Sequence, residues 1–111
     1  MNAPQSTAVL APTVKLLING EFVESKSTVW RDVVNPATQE VLARVPFATP
    51  AEVNAAVASA KEAFKTWRKT AIGARARIFL KYQQLIRENM AELAAILTAE
   101  QGKTLPDAEG D

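Results

Sequence analysis

An acid and a base stand three positions apart near the end of this 111-residue chain, in Glu100-Gln101-Gly102-Lys103. A carboxylate and an amine at that spacing can share a proton-transfer task. The same four residues also spell the end of a helix. Gly takes the left-handed conformation that closes a last turn, and Lys sits well near the negative end of the helix dipole. A second pair, Ser59 and Lys61, has the residue types of a Ser-Lys nucleophile. Two positions apart on a helix, they face different sides and do not make one. The largest concentration of charge is cationic. Residues 61–87 hold Lys61, Lys65, Arg68, Lys69, Arg75, Arg77, Lys81 and Arg87 against Glu62, eight less one, net +7. Such a block is either a nucleic-acid footprint or a solvated helix face that pairs with acids elsewhere. Phe64, Trp67, Phe79 and Tyr82 lie among these cations on apolar helix stripes, which reads as core rather than as base-stacking platforms. Residues 88–111 hold Glu88, Glu92, Glu100, Asp107, Glu109 and Asp111 against Lys103, six less one, net −5. The two blocks can pair with each other or with surfaces outside these residues.

What is missing narrows the chemistry further. The chain has no Cys and no His. Disulfides, thiolate nucleophiles, imidazole bases and the usual zinc or haem ligands are therefore excluded within it. Its glycines, Gly20, Gly73, Gly102 and Gly110, form neither a G-x-G-x-x-G turn nor a P-loop. A net charge of +1 supplies no bulk field for nucleic acid or acidic membrane. No apolar run approaches the ~20 residues of a membrane span. The first 13 residues carry no Lys or Arg. Neither a secretory n-region nor an Arg-rich presequence is read there, and the cytoplasm is the expected location.

The elements that would position these groups follow from local signals. Residues 1–14 read as a disordered tail. Residues 15–24 read as a hairpin about Asn19-Gly20, since both positions of a type I′ turn need positive φ. That register pairs Ile18 with Glu21, Leu17 with Phe22, Leu16 with Val23 and Lys15 with Glu24. Residues 29–34 and 41–45 read as a second strand pair. Asn35-Pro36-Ala37-Thr38 forms a type I turn between them, and Pro46 stops the last strand. Isolated hairpins are marginal in water, so both should lie on something else. Thr49-Pro50-Ala51-Glu52 is a capping box with Pro at the first helical position. Val53, Val57, Ala60, Phe64 and Trp67 continue it as an apolar stripe, and Gly73 marks the break. A second helix carries Ile78, Phe79, Tyr82, Leu85 and Ile86. Asn89 with Glu92 reads as the cap of a third, through Met90, Leu93, Ile96 and Leu97 to Gly102. Thr104 and Pro106 announce a fourth helix at the end of the sequence. Hydrophobic residues make up 48% of the chain, but 20 of them are Ala, which buries little area. The helices should have a thin core and need more surface to pack against.

Five segments occur in the order and spacing of the N-terminus of the aldehyde dehydrogenase superfamily. They are Leu17-Ile18-Asn19-Gly20-Glu21-Phe22-Val23, Val34-Asn35-Pro36-Ala37-Thr38-Gln39-Glu40-Val41, Ala60-Lys61-Glu62-Ala63-Phe64-Lys65-Thr66-Trp67, residues 75–86, and Glu100-Gln101-Gly102-Lys103. Residues 100–111 most resemble the CoA-acylating, methylmalonate-semialdehyde branch. Gln39 departs from the pattern, because many relatives place Gly after the Thr.

The resemblance implies an α/β fold: the N-terminal fragment of an aldehyde dehydrogenase, with β-hairpins, three α-helices and the start of a fourth. Residues 15–111 would be the truncated N-terminal part of its NAD-binding domain. In a full-length parent a Cys thiolate attacks the aldehyde, an Asn side chain and a backbone N–H hold the oxyanion, and NAD takes the hydride. CoA resolves the thioester in the acylating branch. Methylmalonate or malonate semialdehyde is then oxidised with decarboxylation, in valine and pyrimidine breakdown. NAD and CoA are thus cofactors of the parent, with none expected on this chain alone. Its partners would be the remainder of the dehydrogenase chain and, for the parent, further copies in a homo-oligomer, with no nucleic acid and no membrane. No catalytic or cofactor-binding residue carries over. A monovalent-cation site does, at the Val33 carbonyl and Glu100. The chain alone is expected to be inactive; the other readings are a non-catalytic helical interaction module and another member of the superfamily.

Overall fold

The structure is a computed structural model that describes residues 11–111. Four short strands precede four helices: β1 (Leu16–Ile18), β2 (Glu21–Val23), β3 (Trp30–Val34), β4 (Val41–Pro46), α1 (Pro50–Trp67), α2 (Ile72–Glu88), α3 (Met90–Gln101) and α4 (Leu105–Gly110). The expected tail lies outside the described residues as far as position 10. Pro12 and Val14, grouped with that tail in the sequence, bond to β4: the Arg44 N–H donates to the Pro12 carbonyl and the Val14 N–H to the Arg44 carbonyl, each at 2.9 Å.

The strands form two separate antiparallel pairs. In the first, Leu16 faces Val23, Leu17 faces Phe22 and Ile18 faces Glu21, the register expected from the Asn-Gly turn. Asn19 and Gly20 take φ values of 54° and 75°, as a type I′ turn requires. The ladder ends at Leu16 and Val23, so Lys15 and Glu24 lie beyond it. In the second pair, Trp30 to Val34 run against Pro46 to Val41, and a bulge leaves Leu42 without a partner. Pro46 is paired with Trp30 rather than excluded, because a strand's last residue loses little by lacking an N–H. The turn is longer than a type I turn. The Asn35 side chain accepts from the Ala37 and Thr38 N–H groups, and its carbonyl accepts from the Gln39 N–H at 2.8 Å. Closing it puts Gln39 in the left-handed region at φ 65°, which explains why Gly suits that position.

The helix boundaries show which local signals prevailed. Thr49 and Glu52 form the capping box as read. Gly73 does not break the chain; it lies in the first turn of α2, and the break falls at Thr70-Ala71. Asn89 stands at the start of α3 as read, but its side chain makes no capping bond there. Its side chain turns back, donating Nδ2 to the Leu85 carbonyl at 2.8 Å, and its N–H serves the Leu85 and Ile86 carbonyls. An Asn amide can donate as well as accept, and here the C-terminal carbonyls of α2 hold it. Gly102, at φ 75°, closes α3, and Thr104 caps α4.

The core is thin. Among the described residues the buried ones are Ala94 and Ala108, 3% and 7% exposed, and Pro46 at the end of β4. The accessible surface is 9413 Å², against about 6,000 Å² for a folded monomer of this mass. The aromatic stripes read as core are therefore largely uncovered by the described residues: Phe64 is 56% exposed, Phe79 63% and Tyr82 60%.

Candidate functional site

Among the described residues the most connected polar side chain is Glu52, in the first turn of α1. Its Oε1 accepts from the Thr49 N–H at 2.9 Å and from the Ser25 hydroxyl at 2.7 Å, and its Oε2 from the Lys26 N–H at 3.0 Å. These donors hold the carboxyl down to about 2 from an ordinary 4.5, the Thr49 backbone N–H contributing most, then Ser25 and Lys26. An acid with three donors and so low a pKa is a structural clasp, fixing the loop after the first hairpin to α1, and not a proton shuttle at neutral pH. The Thr49/Glu52 cap was legible locally. The Ser25 bond spans 27 positions, and no local signal announces it.

The acid–base pair at the end of α3 is taken apart by the fold. Lys103 pairs with Asp111 beyond α4, not with Glu100. Ser59 lines a shallow groove with Asn19, Glu62, Ala63 and Thr66, away from Lys61, and Glu62 pairs instead with Lys65 at 2.6 Å. Val33 sits in β3 opposite Ala43, beside the bulge, and Glu100 is exposed in the last turn of α3. The two segments meet through Gly102. A Cβ added there would stand 3.0 Å from Pro36 Cγ, so the end of α3 rests on the β3–β4 turn. Among the described residues there is no group of three or more Asp or Glu side chains able to hold a metal ion.

The extended features are apolar helix faces. On α1, Val53 and Val57 line a groove of about 230 Å³ with Leu16, Leu17 and Ile18 of the first hairpin, while Phe64 projects further along. On α2, Ile78, Tyr82 and Leu85 line a groove of about 440 Å³ rimmed by Arg77 and Lys81. On α3, Leu93 and Ile96 are exposed. No helix among the described residues is long and apolar enough to cross a membrane.

The aldehyde dehydrogenase family model matches residues 22–111. The chain belongs to the aldehyde dehydrogenase family. It is 60% identical over 100 residues to the mitochondrial, acylating methylmalonate-semialdehyde/malonate-semialdehyde dehydrogenases of Homo sapiens and Rattus norvegicus, which covers 90% of this chain and 19% of each relative. Among solved structures, a protein from Sinorhizobium meliloti assigned as methylmalonate-semialdehyde dehydrogenase and complexed with NAD superposes with a TM-score of 0.87 at 41% identity, covering 92% of this chain and 21% of that one. The chain thus spans about a fifth of the length of the relatives it matches. The fold is the N-terminal fragment of the aldehyde dehydrogenase fold, with two hairpins and four helices in the expected order.

Proposed function

We propose that this chain is the N-terminal portion of an NAD-dependent, CoA-acylating methylmalonate/malonate-semialdehyde dehydrogenase, and that residues 15–111 form part of its NAD-binding domain. The observation that carries the reading is the 60% identity over 100 residues to relatives named as acylating methylmalonate-semialdehyde/malonate-semialdehyde dehydrogenases. The parent oxidises the semialdehyde to an acyl-CoA with loss of carbon dioxide. NAD accepts the hydride and CoA the acyl group. Neither cofactor fits the residues present here. The four glycines are dispersed, no glycine-rich turn leads into a helix N-terminus, and the grooves are shallow, so no catalytic step is assigned to this chain.

The chain's own contribution is architectural. The Glu52 clasp fixes the first hairpin to α1, Gly102 seats α3 on the β3–β4 turn, and the apolar faces of α1 and α2 pack against the remainder of the dehydrogenase. The Val33 carbonyl and Glu100 are assigned to a monovalent-cation site in the parent, supported by the Gly102–Pro36 approach that brings their segments together. Unchanged potassium and sodium dependence in full-length enzyme carrying Glu100→Ala would remove that assignment. The parent is a homo-oligomer, tested by its mass in solution. A cytoplasmic location of the parent is the reading to be tested. The curated relatives carry "mitochondrial" in their names, and cell fractionation decides between the two.

The experiment for the main reading is to sequence the coding DNA past the codon for Asp111. A frame that continues into a glycine-rich strand-turn-helix and later a cysteine supports it. A stop codon at that point reduces the enzyme reading to ancestry.

A further inference from the structure

We propose that Asn19 is a site of spontaneous deamidation held in check by the turn it forms, so that opening of the first hairpin is recorded as a permanent negative charge at its tip. The reaction is internal to two residues. The Gly20 nitrogen gives up its proton and attacks Asn19 Cγ. A Cγ–N bond forms, the Cγ–Nδ2 bond breaks, and ammonia leaves carrying that proton. Water then opens the five-membered imide. Cleavage at Cγ gives aspartate, and cleavage at the main-chain carbonyl gives isoaspartate. Water is the co-reactant, and nothing is oxidised or reduced.

Residue type and conformation act in opposite directions here. Gly20 has no Cβ to crowd its nitrogen, so among the described residues Asn19 is the asparagine readiest to close the ring. Asn35 precedes Pro36, whose nitrogen has no proton to give. Asn54 precedes Ala55 inside α1, and Asn89 precedes Met90 at the start of α3. The turn opposes closure. Asn19 is in the left-handed region at φ 54°, and the first central residue of a type I′ turn has ψ of about +30°. That ψ puts the Gly20 nitrogen nearly opposite Cβ across the Cα–C bond, whereas attack needs the two eclipsed. The hairpin must therefore open first. This lock is local backbone geometry, so it does not depend on what covers the hairpin in the parent. The product bears on packing. Asn19 shares a groove with Glu62 of α1, so a new carboxylate at position 19 meets an acid already there. Aspartate keeps the turn, since Asp-Gly also suits type I′. Isoaspartate adds a carbon to the backbone and breaks the register of Leu17 with Phe22.

Trypsin cuts after Lys15 and Lys26, and the peptide between them holds Asn19 and no other Asn. Mass spectrometry of that peptide follows conversion in the full-length parent, native and in denaturant, and in a synthetic peptide of residues 16–26. The synthetic peptide, a lone hairpin at most, should convert freely. The native parent should convert about tenfold or more slowly, since opening of the turn limits it. Denaturant should bring the parent to the peptide's rate, with Asn35, Asn54 and Asn89 slower there than Asn19. Asn19→Asp stands for the product and should quicken hydrogen exchange in β1 and β2, and Glu62→Gln should reverse the change. Equal rates in the native parent and the free peptide would overturn the inference. So would a denatured parent in which another of these asparagines converts first, or exchange that Asn19→Asp leaves unchanged. The inference goes beyond the dehydrogenase reading, because the mass of one peptide is read whatever the parent catalyses.

Discussion

Replacing Gly102 with Ala should loosen the end of α3, and two costs can be separated. The first is conformational. Gly102 sits at φ 75°, and an L-residue held in the left-handed region loses roughly 1–2 kcal/mol to the clash of its Cβ with the following carbonyl. The second is steric. The new Cβ would lie 3.0 Å from Pro36 Cγ, tighter than ordinary contact, so the proline ring must give by a few tenths of an ångström. That adds about 1 kcal/mol at the lower end of overpacking costs. The conformational cost should dominate. The assay is hydrogen exchange of the Gly102 amide, which donates to the Thr98 carbonyl at 2.9 Å and reports opening of this last turn. Exchange should quicken about 5–30-fold from the conformational cost alone. In a Pro36→Ala background the steric part should vanish and the conformational part remain. Exchange within twofold of the parent chain would refute the reasoning. Complete rescue by Pro36→Ala would show that φ was not the source.

Other consequences follow from single positions. Thr49→Ala removes the acceptor for the Glu52 N–H and should cost α1 about 1 kcal/mol, seen as faster exchange in its first turn. Glu52 has a folded pKa near 2 against an ordinary 4.5, so its contribution is complete above about pH 4.5 and is lost as pH falls toward 2. Protection of the Lys26 amide should fall across that window, and Glu52→Gln should flatten the profile. Gln39→Gly relieves the strain at φ 65°, partly offset by greater chain entropy and the lost bond from Nε2 to the Pro36 carbonyl. A gain of about 0.5 kcal/mol in denaturant titration of a full-length parent is expected, and a loss would count against the strain. No retardation of duplex DNA is expected at low salt, because the aromatics lie along apolar helix faces rather than in a strand-tracking groove.

What the sequence disclosed was governed by how local the deciding interaction is. Asn19-Gly20, Thr49 with Glu52, and Gly102 each act within four residues through φ or a cap, and each was legible. Gln39 was visible as a departure from the family pattern, yet its positive φ emerges only from the closed turn. Asn89 marks the start of α3 as read, but its side-chain bond was not legible, because the same amide that caps a helix start can donate to a helix end. Gly73 was misread because a glycine in a first helical turn carries the same letter as a glycine at a break. The Ser25–Glu52 clasp and the Gly102–Pro36 approach join distant segments, and periodicity is silent about those. The aromatic stripes were correctly placed on helix faces, but their burial depends on a partner surface that these residues do not supply.

The central claim is that this chain is one architectural part of an acylating dehydrogenase and carries none of its chemistry. The most direct test follows NADH formation from methylmalonate semialdehyde with NAD and CoA, for the chain alone and for the chain joined to the remaining four-fifths of the human relative. The account predicts no turnover from the chain alone and clear turnover from the chimaera. Turnover by the chain alone would contradict it. So would a folded but inactive chimaera beside an active human enzyme prepared in the same way.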